Sequence, residues 1–290
     1  MYLTFIEGLT ERLRMSDLPI DDIPFIYSRS QWKKYIKKDL VFHNDRVADT
    51  GTWVENGDEI EVRGMLNPSI KPYELTFDVI YEDKHMLAVH KPSGLVVSGN
   101  KHRTLDNAVI SYLGIDDDTK IPFIPRSIHR LDSVTSGIVL IAKTYPAMLS
   151  LQRMMANKDI SKTYLAVVHG NISKSLSINF PIGDKEATTT VILIKYIESE
   201  KYGQLSFVKV QIETGRTHQI RIHLNAIGHP IVGDKKYNRS ISFQHKGLML
   251  HAWKLEFAHP MVSKELRIHT DIPKRYKKFG ISHDDLSRFY

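Results

Sequence analysis

Apolar positions along this chain follow three spacings. SGIVLIAKT, residues 136–144, is a short continuous apolar run, which predicts a strand buried on both faces. LSFVKVQIETG alternates instead: Val208, Val210 and Ile212 face one way, Lys209, Gln211 and Glu213 the other. FDVIYEDKHMLAVHKPSG reads as two strands joined by a turn at Glu82–His85, and KTYLAVVHG as another strand. Helical spacing appears in TLDNAVISYLG, with Gly114 as its stop, and in AMLSLQRMMANK, with Met148, Leu151, Met154 and Met155 inward. RTHQIRIHLNAIGHP reads as a short helix begun by Arg216, His218 and Arg221. Ile220, Leu224 and Ile227 form its buried stripe, Gly228 its C-cap, and Pro230 follows. Strands interleaved with helices imply a sheet domain of the α/β or α+β class.

The front of the chain has a pattern of its own. Trp32, Ile36 and Leu40 recur at helical spacing. Arg29, Lys33 and Lys37 form a second row on the same helix, with Lys34 and Lys38 beside it. VFHN reads as a strand, and Asn56-Gly57 as a hairpin signal before the alternating Ile60 and Val62. GMLNPSIKPYE, residues 64–74, carries two prolines and a glycine between apolar stretches, so a domain boundary is expected there. DDDT at 116–119 is a short acidic loop signal.

Charge sharpens this division. The net charge of the 290-residue chain is +7. Residues 1–67 carry 9 Lys/Arg against 12 Asp/Glu, whereas residues 68–290 carry 31 against 21. The basic excess of the larger part points to a polyanionic partner, and a solvated basic surface is the bland alternative. A front part that is acidic overall concentrates its positive charge on one helix face. The chain has no cysteine, which excludes disulfides and thiolate metal sites and fits a reducing compartment. MYLTFIEGLTERLR has early acids and no long apolar run, so no signal peptide is expected, and no apolar run reaches transmembrane length.

The candidate chemistry lies in two segments. HRLDSVTSG, residues 129–137, delivers Arg130 and Asp132 to the mouth of the apolar run. A carboxylate beside a dry core needs a cation or hydrogen bonds. Arg130 offers one in sequence; Arg216 or Arg221 offers one at a distance. An Arg-x-Asp triplet serves equally as a structural salt bridge, and the spacing alone leaves both readings open. TGRTHQIRIH, residues 214–223, brings Arg216, His218 and Arg221, with Arg221 at the edge of the buried stripe. His218 and His223 are five apart and no HExxH motif accompanies them, so no metal site is expected. No GxSxG elbow or Walker-type glycine loop supports a hydrolase.

Seven ordered segments carry a family resemblance: VIYEDKHMLAVHKPSGLVV, TLDNAV, HRLDSVTSGIVLIAKT, SKTYLAVVHG, PIGD, TGRTHQIRIHLNAIGHPIVGDKKY and LMLHAWKLEFAHP. Over residues 77–275 they resemble the RluA family of RNA pseudouridine synthases. About residues 12–65 resemble the alpha-L RNA-binding domain, the arrangement of the RluC and RluD branch. Ser133-Val134 and Ser98-Gly99 depart from pairs frequent in the family. The resemblance implies an α+β protein: a small RNA-binding domain in 1–67, a linker at 68–76, and in 77–290 a catalytic domain built on a mixed, largely antiparallel twisted sheet with flanking helices. It implies isomerisation of uridine in RNA, ribosomal RNA first and transfer RNA second, by a cytoplasmic monomer without cofactor or metal. Asp132 matches the catalytic aspartate and Arg130 the arginine that handles the extruded base. Tyr164 matches the tyrosine against the uracil, and Arg221 the partner of the aspartate. Lys91, Pro92, Arg216 and His218 match cleft-supporting positions, and Arg29, Lys33, Lys34, Lys37 and Lys38 are expected on RNA phosphates.

Overall fold

The computed structural model describes residues 2–20, 23, 26, 28–63, 71–116, 123–238 and 247–289. Residues 64–70 of the expected boundary at 64–74, and most of the DDDT loop, lie outside the described residues. Two compact units emerge, one within residues 2–63 and the other within 71–289.

In the first unit β1 (Tyr2–Phe5) and β2 (Leu13–Arg14) precede α1 (Arg29–Ile36); β3 (Val41–His43), β4 (Arg46–Val47), β5 (Trp53–Val54) and β6 (Glu59–Val62) follow. Ser28 caps α1 by accepting from the Gln31 amide at 3.1 Å. Trp32 and Ile36 are buried, and the Trp32 indole donates to the Met15 carbonyl at 2.6 Å. The helix ends earlier than the spacing predicts. Leu40 is half-buried beyond it, Lys37 is its C-cap, and Asp39 turns the chain with a left-handed φ of 54°. The Asn56-Gly57 turn does not close a hairpin. β5 pairs with β2, while β6 pairs with β1 and β3. Long-range bonds override the local signal: the Gly57 amide donates to the Ile6 carbonyl at 2.7 Å and the Leu9 amide to Asn56 Oδ1 at 3.3 Å. The turn therefore passes the chain from one small sheet to another.

The second unit opens with the hairpin β7 (Asp78–Glu82) and β8 (Met86–Lys91), then α2 (Leu105–Tyr112), β9 (Arg126–Ser127) and β10 (Ser136–Ala142). After α3 (Tyr145–Asn157) come β11 (Ser161–His169), β12 (Leu176–Ile178), β13 (Thr189–Ser199) and β14 (Gly203–Ile212). Last are α4 (Gln219–Ala226), β15 (Leu250–Ala258) and β16 (Glu265–His269). The strands form one sheet in the order β12-β13-β14-β11-β15-β10-β8-β7, with β9 on β10 and β16 on β15. Among the described strands only β10 and β15 pair in parallel, so this is a mixed, largely antiparallel α+β fold.

That parallel contact is short: Ser136 faces His251 and Gly137 faces Ala252. Beyond it β10 takes β9 as neighbour and β15 takes β16. Gly137 has φ +122°, and a Cβ there would overlap the Ala252 carbonyl. Only glycine lets the two strands approach at this point. Every residue of β10 is buried, as its apolar run predicts, and Leu87, Val89, Leu165, Phe207 and Trp253 complete the core around it. In α3 Met148 and Leu151 are buried, but Met154 and Met155 are half-buried. They occupy the last turn, where Lys158 (φ 66°) redirects the chain towards β11.

Candidate active site

The segment before β10 is zipped to that strand. The Ile128 amide donates to the Leu140 carbonyl at 2.9 Å, and the Leu140 amide donates to His129 Nε2 at 3.1 Å. Burial, helped by the charge of Lys162, pushes the His129 imidazole down to about 4. It is therefore a neutral acceptor at neutral pH. Leu131 is buried, and the Thr135 amide donates to the Asp132 carbonyl at 3.0 Å, closing a turn. The loop after β8 clamps this turn. The Gly94 amide donates to the Ser133 carbonyl at 2.7 Å and Ser93 Oγ to the Val134 carbonyl at 2.7 Å.

Lys91 completes the clamp. It is fully buried, and its Nζ donates to the carbonyls of Pro92 (2.9 Å), Leu95 (2.8 Å) and Ser133 (3.1 Å). Burial lowers its pKa to about 8, against the pull of Asp132 and with the help of Arg275. Lys91 thus ties the carbonyls of two loops into one support and leaves a cation under the Asp132 turn.

The Asp132 carboxylate is 20% exposed. Its Oδ2 accepts from Arg221 Nη1 at 3.0 Å, while Oδ1 lies 3.6 Å from His218 Nε2, too far for a hydrogen bond. Arg221 reaches the site from α4. Its Nε and Nη2 donate to the two oxygens of Asp234, at 2.7 and 2.8 Å, in a bidentate pair. Asp234 is buried and also accepts from the amides of Lys236 (3.0 Å) and Tyr237 (3.2 Å). Burial works to raise the Asp234 pKa, but Arg221 and these amides outweigh it and hold it below the usual carboxylate range. Burial likewise opposes the Arg221 charge, and Asp234 and Asp132 outweigh it. The guanidinium is locked on one side and shares one nitrogen with Asp132 on the other.

Tyr164 stands on β11, where burial and then the Asp132 charge push its phenol upward. It stays neutral at any working pH. A cleft open to solvent, with about 440 Å³ of empty space, is lined by Arg130, Asp132, Tyr164, Arg216, His218 and Arg221. A second, of about 760 Å³, shares Arg130, Asp132, His218 and Arg221 with the first and adds Val97 and Lys236. Arg130 is exposed and, among the described residues, has no hydrogen-bond or ion-pair partner. Its guanidinium is free to meet something else.

α4 begins at Gln219, so Arg216 and His218 precede the helix that the sequence pattern starts with them. The cause is the Gln219 side chain. Its Oε1 accepts from Thr214 Oγ1 (2.7 Å) and the Arg216 amide (3.1 Å), and its Nε2 donates to the Thr188 carbonyl (2.9 Å). These bonds hold residues 214–216 as a loop. Arg216 Nε donates to the Glu186 carbonyl at 3.1 Å, and His218 has a left-handed φ of 59°.

The structure thus gathers Asp132, Tyr164, Arg221, Arg130, Arg216 and His218 around joined cavities, with Lys91 and Pro92 in the supporting loop. Arg29, Lys33, Lys34, Lys37 and Lys38 are exposed in the other unit, where Arg29 lies 4.0 Å from Asp17. Sequence reasoning missed Asp234, Tyr237 and Gln219. A signal existed for Asp234, the only acid between Glu213 and Glu256. A lone carboxylate in a basic stretch rich in apolar residues is a candidate partner for a buried arginine.

Comparison with known proteins adds independent information. The family model described as RNA pseudouridylate synthase matches residues 85–226. The chain is 32% identical over 265 residues to an uncharacterized RNA pseudouridine synthase, YlyB, of Bacillus subtilis (strain 168), covering 86% of this chain and 87% of that one. It is 30% identical over 272 residues to ribosomal large subunit pseudouridine synthase D of Nitrosomonas europaea, covering 85% and 78%. Among solved structures, human RNA pseudouridylate synthase domain containing 1 superposes with a TM-score of 0.59 at 23% identity, covering 77% of this chain and 96% of that one.

Proposed function

The chain belongs to the RNA pseudouridine synthase family, and on that premise we propose that it isomerises uridines of large-subunit ribosomal RNA with Asp132 as its reacting carboxylate. Uridine and pseudouridine contain the same atoms. The N1–C1′ bond breaks, the uracil turns while bound, C5 bonds to C1′, and the proton lost from C5 is balanced by one gained at N1. No electron is transferred to an outside acceptor and no water is consumed, so the chemistry calls for positioned charge, not for a redox cofactor.

One observation supports this reading most. A carboxylate paired with Arg221 at 3.0 Å lines both joined cavities, beside a phenol that burial keeps neutral. The guanidinium holds Asp132 Oδ2 at 3.0 Å and orients the carboxylate, which can serve as nucleophile or base. Tyr164 offers a π-face for the uracil ring. A base inside folded RNA must first be unstacked, at a cost of a few kcal/mol. The unpartnered Arg130 at the mouth is suited to fill the space that the base vacates.

The name of the Nitrosomonas europaea relative supports large-subunit ribosomal RNA ahead of transfer RNA as substrate. The same reading makes the protein cytoplasmic, where bacterial ribosomal RNA is processed. The exposed row Arg29, Lys33, Lys34, Lys37 and Lys38 supplies a second RNA surface, through phosphates. The test is tritium release from 5-tritiated uridine in transcribed large-subunit RNA, joined to pseudouridine mapping of total RNA with and without the gene. Release, and pseudouridines in the large-subunit RNA that disappear with the gene, are expected. Purified protein inert on all cellular RNA would overturn the activity, and sites lost only from transfer RNA would overturn the substrate.

A further inference from the structure

The two oxygens of Asp132 are reached by different routes, and both routes end in one turn. On the Oδ2 side Arg221 binds Asp132 through Nη1 and Asp234 through Nε and Nη2. On the Oδ1 side His218 Nε2 faces Asp132 at 3.6 Å, and His218 Nδ1 lies 2.8 Å from the Tyr237 hydroxyl. Asp234 and Tyr237 stand three residues apart in VGDKKY. The family match ends at residue 226, before either of them.

The turn that carries them is rigid. The Val232 amide donates to the Val167 carbonyl (2.9 Å), and the Met249 amide to the Val232 carbonyl (2.9 Å). The Asp234 amide donates to the Ile231 carbonyl (3.1 Å), and Asp234 Oδ1 accepts from the amides of Lys236 and Tyr237. Buried Val232, at the start of the turn, is therefore pinned to β11 on one side and to the approach to β15 on the other, while Lys235 and Lys236 are exposed.

The His218 tautomer follows from its neighbours. Lys236 Nζ lies 3.4 Å from Nδ1 and can only donate. The Tyr237 hydroxyl beside it completes a donor side, so Nδ1 accepts and the ring proton sits on Nε2. That proton points to Asp132 Oδ1, which can only accept. Burial, Arg221 and Lys236 oppose a second proton on the ring, while Asp132 and Asp234 favour it, and the balance lies below the usual histidine range. Arg130 and Arg216, which line the same cavity, add to the opposing charge. The left-handed backbone at His218 is uncommon for a residue with a side chain, and such strain persists where the surroundings enforce it.

We propose that the 233–237 turn aims the reacting carboxylate: Asp234, through Arg221, holds Oδ2, and Tyr237, through His218, holds Oδ1. Both are positioning residues, and the proposal rests on Asp132 being the reacting group. Hydrogen bonds at such sites are often long before substrate binds, and the proposal requires the 3.6 Å separation of His218 Nε2 from Asp132 Oδ1 to shorten in the complex.

Tyr237→Phe removes one hydroxyl and keeps the ring. On large-subunit RNA transcribed with 5-tritiated uridine, kcat falls about tenfold while KM stays within about twofold, the signature of lost alignment and not of lost binding. The acid limb of the kcat profile moves to higher pH, because an Nδ1 without its phenol partner takes a proton more easily and imidazolium then masks Oδ1. In a His218→Ala background the same change has no further effect, since Tyr237 acts through that ring. Asp234→Asn, checked for a native circular-dichroism melt, lowers kcat about a hundredfold. Unchanged kcat in Tyr237→Phe, or effects that multiply with His218→Ala, would overturn the proposal. Nitrogen-15 NMR of His218 provides a readout that needs no substrate. An unprotonated Nδ1 in the wild type that loses this state preference in Tyr237→Phe supports the proposal, and a protonated Nδ1 in the wild type overturns it. If wild-type protein releases no tritium from any RNA, the functional reading fails, while the NMR result still decides the turn's hold on His218.

Discussion

The helix face of residues 29–38 and the cleft around Asp132 both concentrate positive charge, but they hold it differently. On the helix face the cations are exposed, and among the described residues only Arg29 lies near an acid, Asp17, at 4.0 Å. In the cleft Arg221 is 7% exposed and spends three nitrogens on two carboxylates. Lys91 is fully buried on three carbonyls. An exposed row of similar charges can be redundant, because each acts at long range through water and salt screens it. A buried cation in fixed geometry cannot be replaced by a neighbour. On the proposed reading, the surface suits RNA of many shapes and the cleft one reaction. Arg130 belongs to the cleft by position and to the surface by freedom, which fits the role proposed for it at the mouth of the cleft.

This contrast predicts a ranking. Asp132→Asn keeps the shape and removes the charge; kcat falls by more than about a thousandfold, while RNA affinity in a filter-binding titration stays within about twofold. Affinity collapsing with activity would mean that the cleft, not the helix face, carries most of the binding. Arg221→Lys comes next. Lysine cannot bridge Asp234 and Asp132 with a planar fork, so kcat falls about a hundredfold in the tritium assay at unchanged affinity. Replacing Lys33, Lys34 and Lys37 together by Glu has the opposite profile. Affinity falls about tenfold or more, and the slope of log affinity against log salt shrinks by roughly 0.7 to 0.9 for each phosphate no longer neutralised. Single-turnover kcat at saturating enzyme is unaffected. An unchanged salt slope would remove the helix face from the RNA interface.

The smallest effect is a pH response of Lys91. Its folded pKa is lowered to about 8, whereas an unfolded lysine titrates near 10.4, about two units higher. Between those values the unfolded chain binds the extra proton, so stability contributed by this group rises with pH, at most ~1.4 kcal/mol per unit. Activity should move the other way. Above about pH 8 the cation that attracts Asp132 is lost, and kcat declines a few-fold. Melting curves and rates from about pH 7 to 10 check both trends, and Lys91→Met should flatten both. A decline that survives in Lys91→Met would assign the alkaline limb to another group.

Much of this protein is legible locally. The continuous run in 136–142 specifies a strand buried on both faces, since no charged residue interrupts it. The lysine row is legible because i, i+4 spacing puts Arg29, Lys33 and Lys37 in one row of the helix, beside the row of Trp32 and Ile36. Asp132 and Arg221 stand out through their motifs, yet the spacing in HRLDSVTSG left Arg130 as available a partner as Arg221. The structure pairs Asp132 with Arg221 across 89 residues and leaves Arg130 free among the described residues. Tyr237 went unnoticed because nothing local marks a residue whose task is to hold another side chain, and Asp234 because its one signal, a lone acid in a basic stretch, does not name its partner. The Asn56-Gly57 turn misled for the same reason: local turn chemistry was real, but the strands on either side found other partners.

Residue order by itself determined most of the elements though not all their ends, the division of charge between the two parts, and the residue types available for the reaction. These depend on contacts within a few positions, where periodicity and turn preference act. Tertiary structure alone decided which carboxylate Arg221 locks and which it shares, that β10 and β15 touch only around Gly137, and that one turn reaches both sides of the Asp132 carboxylate. Those outcomes depend on which distant strands become neighbours, and that is settled by burying the whole core together.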